Sequence, residues 1–307
     1  IEKNLKNKTK IKIPIIAANM DTVIGDDLAD LLIQNGTYPI FHRFSDLEEI
    51  ERVAKKYKNN CYLSSGLDYY NIMLLADKYN CKGICIDIAH GHTIMMIETI
   101  KKIKEYNSNL EIIAGNVCTP EGCIDLIEAG ANAVKIGIGP GAACITRMMT
   151  GFGIPQMTTI FECYEVSKKY NIPLIADGGI EIPKYLTMAL AGGASSVMIG
   201  KLFAQTEESC STKLIINNEK YVNYRGQASK EFQNEKRGGL KKGTVEEGVA
   251  MLLKCSGSAQ DLLDKFCGGL KSGCAYAGAF NLNELITKAE FMEVSNNYLK
   301  ESDKRNK

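Results

Sequence analysis

A chain of 307 residues, 45% of them hydrophobic, has enough apolar content to bury one large core or two smaller ones. Its 37 basic and 36 acidic side chains leave a formal net charge of +1, which argues against the basic face of a nucleic-acid binder and against an acidic tail. Eleven cysteines at irregular spacing, without a Cys-x-x-Cys pair or a secretory leader, point to free thiols in a reducing cytoplasm. No apolar run reaches the length of a bilayer span, and a start at Ile1 rather than Met implies a missing N-terminal piece.

Taken in chain order, short apolar runs rich in β-formers fall at residues 13–17, 38–41, 61–64, 83–87, 111–114, 131–136, 172–176 and 194–199. Between them, residues 26–34, 69–79, 93–106, 120–129, 159–170 and 183–191 carry apolar side chains three and four apart, the helical spacing. Gly36, Gly130 and Gly192 follow three of these segments, and Pro120 and Pro183 sit near the first turn of two. Strict alternation of strand and helix predicts a parallel sheet. Eight repeats predict a closed (β/α)8 barrel forming a single domain over residues 1–307.

In such a barrel functional residues lie at the carboxyl ends of the strands. The segments leaving the predicted strands are Asn19-Met20-Asp21, His42-Arg43, Ser64-Ser65-Gly66, Asp87, Gly115-Asn116, a loop around Cys144, Asp177-Gly178-Gly179 and Gly200-Lys201. Turn chemistry alone explains glycines and polar residues after strands. It does not explain a cysteine, an aspartate and two glycine turns of phosphate-binding type on adjacent strands. Cys144 lies in a loop whose Gly137, Gly139 and Gly141 permit a tight fold, so the residue reads either as an accessible nucleophile or as a small buried hydrophobe.

After the eighth run the pattern changes. Residues 205–258 are polar and lack clear periodicity, which predicts either disorder or a mobile flap over the barrel mouth, the position favouring the flap. The basic run 236–242 inside it suits phosphate attraction or a solvated face. A helix is predicted at 259–270, residues 271–278 lead onward, and the charged tail 295–307 reads as a solvated arm. His90 and His92 mimic a metal pair but lack a third ligand in view, and the ten other cysteines read mainly as core residues.

The segments Ile138-Gly-Pro-Gly-Ala-Ala-Cys-Ile-Thr-Arg147, Gly151-Phe-Gly-Ile-Pro-Gln156, Ile175-Ala-Asp-Gly-Gly179, Val197-Met-Ile-Gly200 and Tyr224-Arg-Gly226 together resemble the inosine monophosphate dehydrogenase and guanosine monophosphate reductase family. The likeness covers nearly the whole chain. It implies a (β/α)8 barrel, a homotetramer, and a loop cysteine that attacks C2 of a purine nucleotide. Between the two branches, residues 43–61 leave no room for the dehydrogenase's inserted regulatory domain, and the flap lacks its adjacent Arg-Tyr pair. Ala18-Asn19-Met20, Phe41-His-Arg-Phe44 and Glu231-Phe-Gln233 are similar to reductases, while Tyr224-Arg-Gly226 and Gly268-Gly-Leu-Lys-Ser-Gly273 are closer to dehydrogenases.

The balance implies NADPH-dependent conversion of GMP to IMP with loss of ammonia. A dehydrogenase without its insert, making XMP from IMP with NAD, and a nucleotide-binding protein without turnover stay open. On the reductase reading the resemblance assigns catalysis to Cys144, Thr146 and Glu247, with Glu246 exchangeable for Glu247 by a one-residue slip. It assigns the ribose to Asp177, the 5′-phosphate to Gly178, Gly179, Gly200 and Lys201, and the purine edge to Gly226, Gln227 and Ala228. Gln227 stands where the family often has methionine, and Ala142 where it often has a phosphate-binding serine, which makes Lys201 more necessary. Arg43, Asp87, Ile88, Ala89, Ile138 and Gly139 are expected beside the nicotinamide, and Ser272 and Tyr276 at the adenosine end, from a neighbouring subunit. The carbonyls of Gly139, Gly141 and Cys144 are the expected ligands of a monovalent cation such as K+.

Overall fold

The computed structural model describes residues 3–5 and 9–302. Its centre is a parallel sheet of β1 (Ile15–Ala17), β2 (Ile40–Phe41), β3 (Tyr62–Ser65), β4 (Gly83–Asp87), β5 (Glu111–Val117), β6 (Ala133–Ile136), β7 (Leu174–Asp177) and β8 (Ser196–Ile199). The hydrogen-bonded order is β1-β8-β7-β6-β5-β4-β3-β2, so the last strand returns to the first and the sheet curls into a nearly closed (β/α)8 barrel. Between β1 and β2 the Thr37 hydroxyl, donating to the Ile15 carbonyl at 3.0 Å, spans the remaining seam.

All eight predicted runs are strands of this barrel, and its apolar strands have two buried faces. One points into the lumen, where Ile16, Ile40, Tyr62, Cys85, Ile113, Ala133, Ile175 and Met198 pack together. The other packs on the surrounding helices through residues such as Leu63, Ile84, Val134 and Val197. Helices Asp26–Gln34, Tyr70–Lys78, Ile94–Tyr106, Pro120–Ala129, Gln156–Tyr170 and Pro183–Ala191 match the periodic segments. Thr93 and Thr119 cap two of them by accepting from the Met96 and Gly122 N–H groups.

The structure departs from expectation in four places. Helix Leu47–Tyr57 was not anticipated, although Asp46 caps it and Ile50, Val53, Ala54 and Tyr57 form its buried stripe. The flap is ordered rather than irregular: β9 (Lys213–Ile216), β10 (Glu219–Arg225) and β11 (Ala250–Lys254) form an antiparallel sheet, and Lys230–Arg237 is a helix. Two of its strands carry short apolar runs, Leu-Ile-Ile at 214–216 and Ala-Met-Leu-Leu at 250–253, but these lie largely exposed among polar residues rather than in a repeat of strand and helix, so they do not continue the barrel pattern. The helix predicted at 259–270 runs Ala259–Tyr276, because its glycines serve close packing rather than termination. A Cβ on Gly269 would lie 2.4 Å from Pro183 Cβ, and one on Gly273 would lie 2.5 Å from Thr187 Cγ2. In the expected solvated arm, Asn296–Glu301 is helical, and residues 303–307 lie outside the described residues. Among the described residues no helix is long and apolar enough to cross a membrane.

Candidate active site

A cleft of about 650 Å³ opens at the carboxyl-terminal mouth of the barrel, roofed by the flap. Cys144, Thr146 and Glu247 line it, as do Asp177, Gly178, Gly179, Gly200 and Lys201. Gly226, Gln227 and Ala228 enter from the flap, and Arg43, Asp87, Ile88, Ala89, Ile138 and Gly139 complete the wall. Two predicted residues lie elsewhere. Ser272 and Tyr276 stand exposed on helix Ala259–Tyr276, the tyrosine 95% accessible, and neither lines the cleft.

The cysteine loop is held by its own backbone and by the strands beside it. The Cys144 N–H donates to the Gly141 carbonyl at 3.0 Å, which leaves that carbonyl one lone pair for a cation. Arg147 Nε donates back to the Ile138 carbonyl at 3.1 Å and pins the loop's two arms together. The Cys144 sulfur lies 3.2 Å from the Thr146 hydroxyl, close enough to share a proton. Gly178, at φ +91°, lets the turn after β7 approach this loop: a Cβ there would sit 2.8 Å from the Gly141 nitrogen.

Flap and barrel meet through main-chain hydrogen bonds around Cys144. The Ile145 N–H donates to the Glu247 carbonyl at 2.9 Å, the Val249 N–H donates to the Ala143 carbonyl at 2.9 Å, and Cys144 pairs with Gly248 as an antiparallel bridge. On its other edge the Glu247 N–H donates to the Ala228 carbonyl at 3.1 Å. Gly226 is required beneath this seam, since a Cβ there would meet the Ala143 carbonyl oxygen at 2.8 Å. The strip 247–249 is thereby laced between the cysteine loop and the purine-edge segment, and it places Glu247 on the cleft wall while Glu246 is not part of that wall. Farther out, Arg225 at the end of β10 donates from Nη2 to Asp21 at 2.6 Å and pairs with Glu235, tying the flap to the loop after β1.

The cleft floor is polar and densely paired. Lys135 on β6 is 1% exposed and its Nζ lies 3.0 Å from Asp87 and 2.7 Å from Asp177. Burial opposes its charge, but the two carboxylates outweigh that and hold its pKa above the usual lysine value. Asn19 donates to Asp87 and to Ser64, each at 2.9 Å, and Asn116 donates to Asp177 at 3.0 Å. Lys201 pairs loosely with Glu181 at 3.5 Å, near the glycine turns assigned to phosphate. Tyr224, 3% exposed, backs Gly200, where a Cβ would lie 2.8 Å from its hydroxyl.

Sequence reading placed Asn116 at a strand end but gave it no role, and it missed Lys135 and Tyr224 as members of this site. A lysine in the lumen register of a buried parallel strand was the available signal, because unpaired lysine is almost never buried. Of the two tempting histidines, His92 pairs with Asp125 at 2.8 Å, and among the described residues no group of three metal-ligating side chains occurs. Of the other cysteines, Cys61, Cys81, Cys85, Cys123, Cys163 and Cys274 are buried as expected, whereas Cys210 is exposed.

Over residues 1–305 the sequence matches the family described as IMP dehydrogenase / GMP reductase domain. An inosine-5′-monophosphate dehydrogenase of Borreliella burgdorferi is 44% identical over 229 residues, covering 71% of this chain and 56% of the relative. That of Cryptosporidium parvum is 34% identical over 357 residues, covering 98% of this chain and 88% of the relative. A GMP reductase of Vibrio atlanticus is 34% identical over 291 residues, covering 92% of this chain and 83% of the relative. The chain spans about half the length of the Borreliella relative and of the Aquifex aeolicus and Nitrosopumilus maritimus dehydrogenases, at 56%, 44% and 46%.

Proposed function

The chain belongs to the IMP dehydrogenase / GMP reductase family, and from that premise we propose that it is the reductase, converting GMP to IMP and ammonia at the expense of NADPH. The observation that carries this reading is the lacing of the Glu247 backbone beside the Cys144–Thr146 pair by a flap segment, 229–248, that holds no Arg-Tyr dipeptide. A dehydrogenase must activate water on its adduct; a reductase must protonate a departing amine. A hydroxyl beside the sulfur and a carboxyl-bearing residue on the wall of the same cleft suit the second task.

In the proposed sequence the Cys144 thiolate forms a bond to C2 of GMP. Protonation of the exocyclic amine through Thr146 and Glu247 lets the C2–N bond break, and ammonia leaves behind a thioimidate on Cys144. Bound nicotinamide supplies the hydride that C2 then takes up, after which the C2–S bond breaks and IMP is free. Asp177 accepts from the ribose hydroxyls, while Gly178, Gly179, Gly200 and Lys201 hold the 5′-phosphate. The residues on the other wall fit a nicotinamide: Ile88, Ala89, Ile138 and Gly139 give an apolar surface, and Arg43 and Asp87 stand at its polar edge.

Assembly as a homotetramer is part of this proposal, with Ser272 and Tyr276 meeting the adenosine end of a neighbour's cofactor. Exposed Tyr276 and Phe280, at 95% and 93%, support such a contact. The proposal also places K+ against the carbonyls of Gly139, Gly141 and Cys144. The printed name and 98% coverage of the Cryptosporidium relative favour the dehydrogenase as a second reading.

One absorbance assay at the nicotinamide band separates the readings. The reductase oxidises NADPH only when GMP is added, releases ammonia, and loses roughly 10³-fold or more of its rate in Cys144→Ala. Reduction of NAD with IMP would establish the dehydrogenase instead. Binding of GMP with no turnover on any pairing, and unchanged properties in Cys144→Ala, would leave only a nucleotide-binding protein.

A further inference from the structure

Four neighbouring strands bring one residue each to the same level of the lumen. Asp87 pairs with Gly115, Gly115 with Lys135, and Lys135 with Ile175, two positions before Asp177. Gly115 stands between Lys135 and Asp87 and has no side chain to block the path. A Cβ there would lie 2.6 Å from Lys135 Cβ. The lysine of β6 can therefore reach across β5 to a carboxylate of β4 while touching a carboxylate of β7. The contacts continue outward without a break, through Asn19 to Ser64 on one side and through Asn116 to the Gly137 carbonyl on the other, at 2.9 Å and 2.8 Å.

We propose that Lys135 is a positioning residue that couples the two halves of the cleft, the nucleotide side through Asp177 and the dinucleotide side through Asp87. This rests on the functional reading above, in which those two carboxylates face the ribose and the nicotinamide. One ammonium, itself shielded from water, holds both, so it carries a displacement of one carboxylate to the other. Lys135 Nζ and the Asn116 amide both donate to Asp177 Oδ2, and among the described residues Oδ1 has no hydrogen-bond partner, which leaves it for the cleft. Ligand binding at Asp177 fixes that carboxylate, and through Lys135 it fixes Asp87 for the second ligand. By linkage the effect is mutual.

The test measures equilibrium binding of IMP and NADPH, each alone and in the presence of the other, by calorimetry. Both are reduced, so no hydride passes between them. In the wild type each tightens the other roughly five-fold or more. Asp87→Asn is expected to weaken IMP binding and Asp177→Asn to weaken NADPH binding, each across the cleft from the altered residue. In Lys135→Met, checked for its fold by circular dichroism, the coupling falls to unity and these crossed effects vanish. A coupling that persists in Lys135→Met overturns the proposal. Should that variant not fold, crossed effects below two-fold in both asparagine variants overturn it equally. A wild-type protein that binds neither ligand refutes the functional reading instead.

Discussion

The floor of the cleft and its roof hold their chemical groups in opposite ways. On the floor, Lys135, Asp87, Asp177, Asn19 and Asn116 are fixed by side-chain bonds to one another, inside a barrel whose lumen is filled. In the roof, the backbone of 247–249 is fixed while Glu247's side chain has no hydrogen-bond or ion-pair partner among the described residues. The difference teaches a division of labour. On the proposed reductase reading, a group that binds must be immobile before the ligand arrives, whereas a group that passes protons needs a fixed origin and a free end.

The sharpest way to break this contrast is to neutralise the free end. Glu247→Gln keeps the shape of the strip and is expected to lower kcat by roughly 10²- to 10⁴-fold with little change in the KM for GMP. Glu246→Gln, outside the cleft, is expected to leave steady-state rates close to wild type. If the two variants exchanged their effects, the register of the strip against the cysteine loop would be wrong.

A smaller effect is expected where floor and loop touch. Gly178→Ala pushes a methyl to within 2.8 Å of the Gly141 nitrogen at a φ of +91°. The strain should cost about 1–3 kcal/mol and lower both Tm and kcat, because the loop carrying Cys144 must shift. Thermal melting beside steady-state kinetics checks it. A variant as stable and as active as the wild type would show that the two turns do not need their close approach.

The smallest effect concerns pH. Burial lowers the pKa of His42 beneath its ordinary 6.5, an effect reinforced by Lys236 and opposed by Asp21 and Glu49. The folded protein therefore resists a proton that the unfolded chain accepts, so this contribution to stability is present above pH 6.5 and is lost as the pH falls below it. His42→Asn should flatten the dependence of Tm on pH over that acid range. An unchanged slope would show that other groups govern acid stability.

The barrel was legible because alternation of apolar runs and helical spacing is a local pattern that parallel packing demands. The same holds for much of the site, since cysteine, aspartate and glycine turns stand at strand ends where a barrel gathers them. Helix Leu47–Tyr57 was less legible, with six of its eleven residues charged and only a narrow stripe buried. Gly273 misled in the other direction, because a glycine that ends a helix and one that admits a neighbouring helix look alike in sequence.

Sequence alone thus determined the order of strands, the family resemblance and a set of strand-end and loop residues most of which line the cleft, since each follows from local composition or from a contiguous motif. Tertiary structure decided which glutamate of the flap lines the cleft, that Ser272 and Tyr276 stand apart from the cleft of their own chain, and that Lys135 joins Asp87 to Asp177. Those facts depend on distances between segments far apart in the chain. Only closure of the barrel, with Gly115 leaving space across β5, brings such groups within reach of one another.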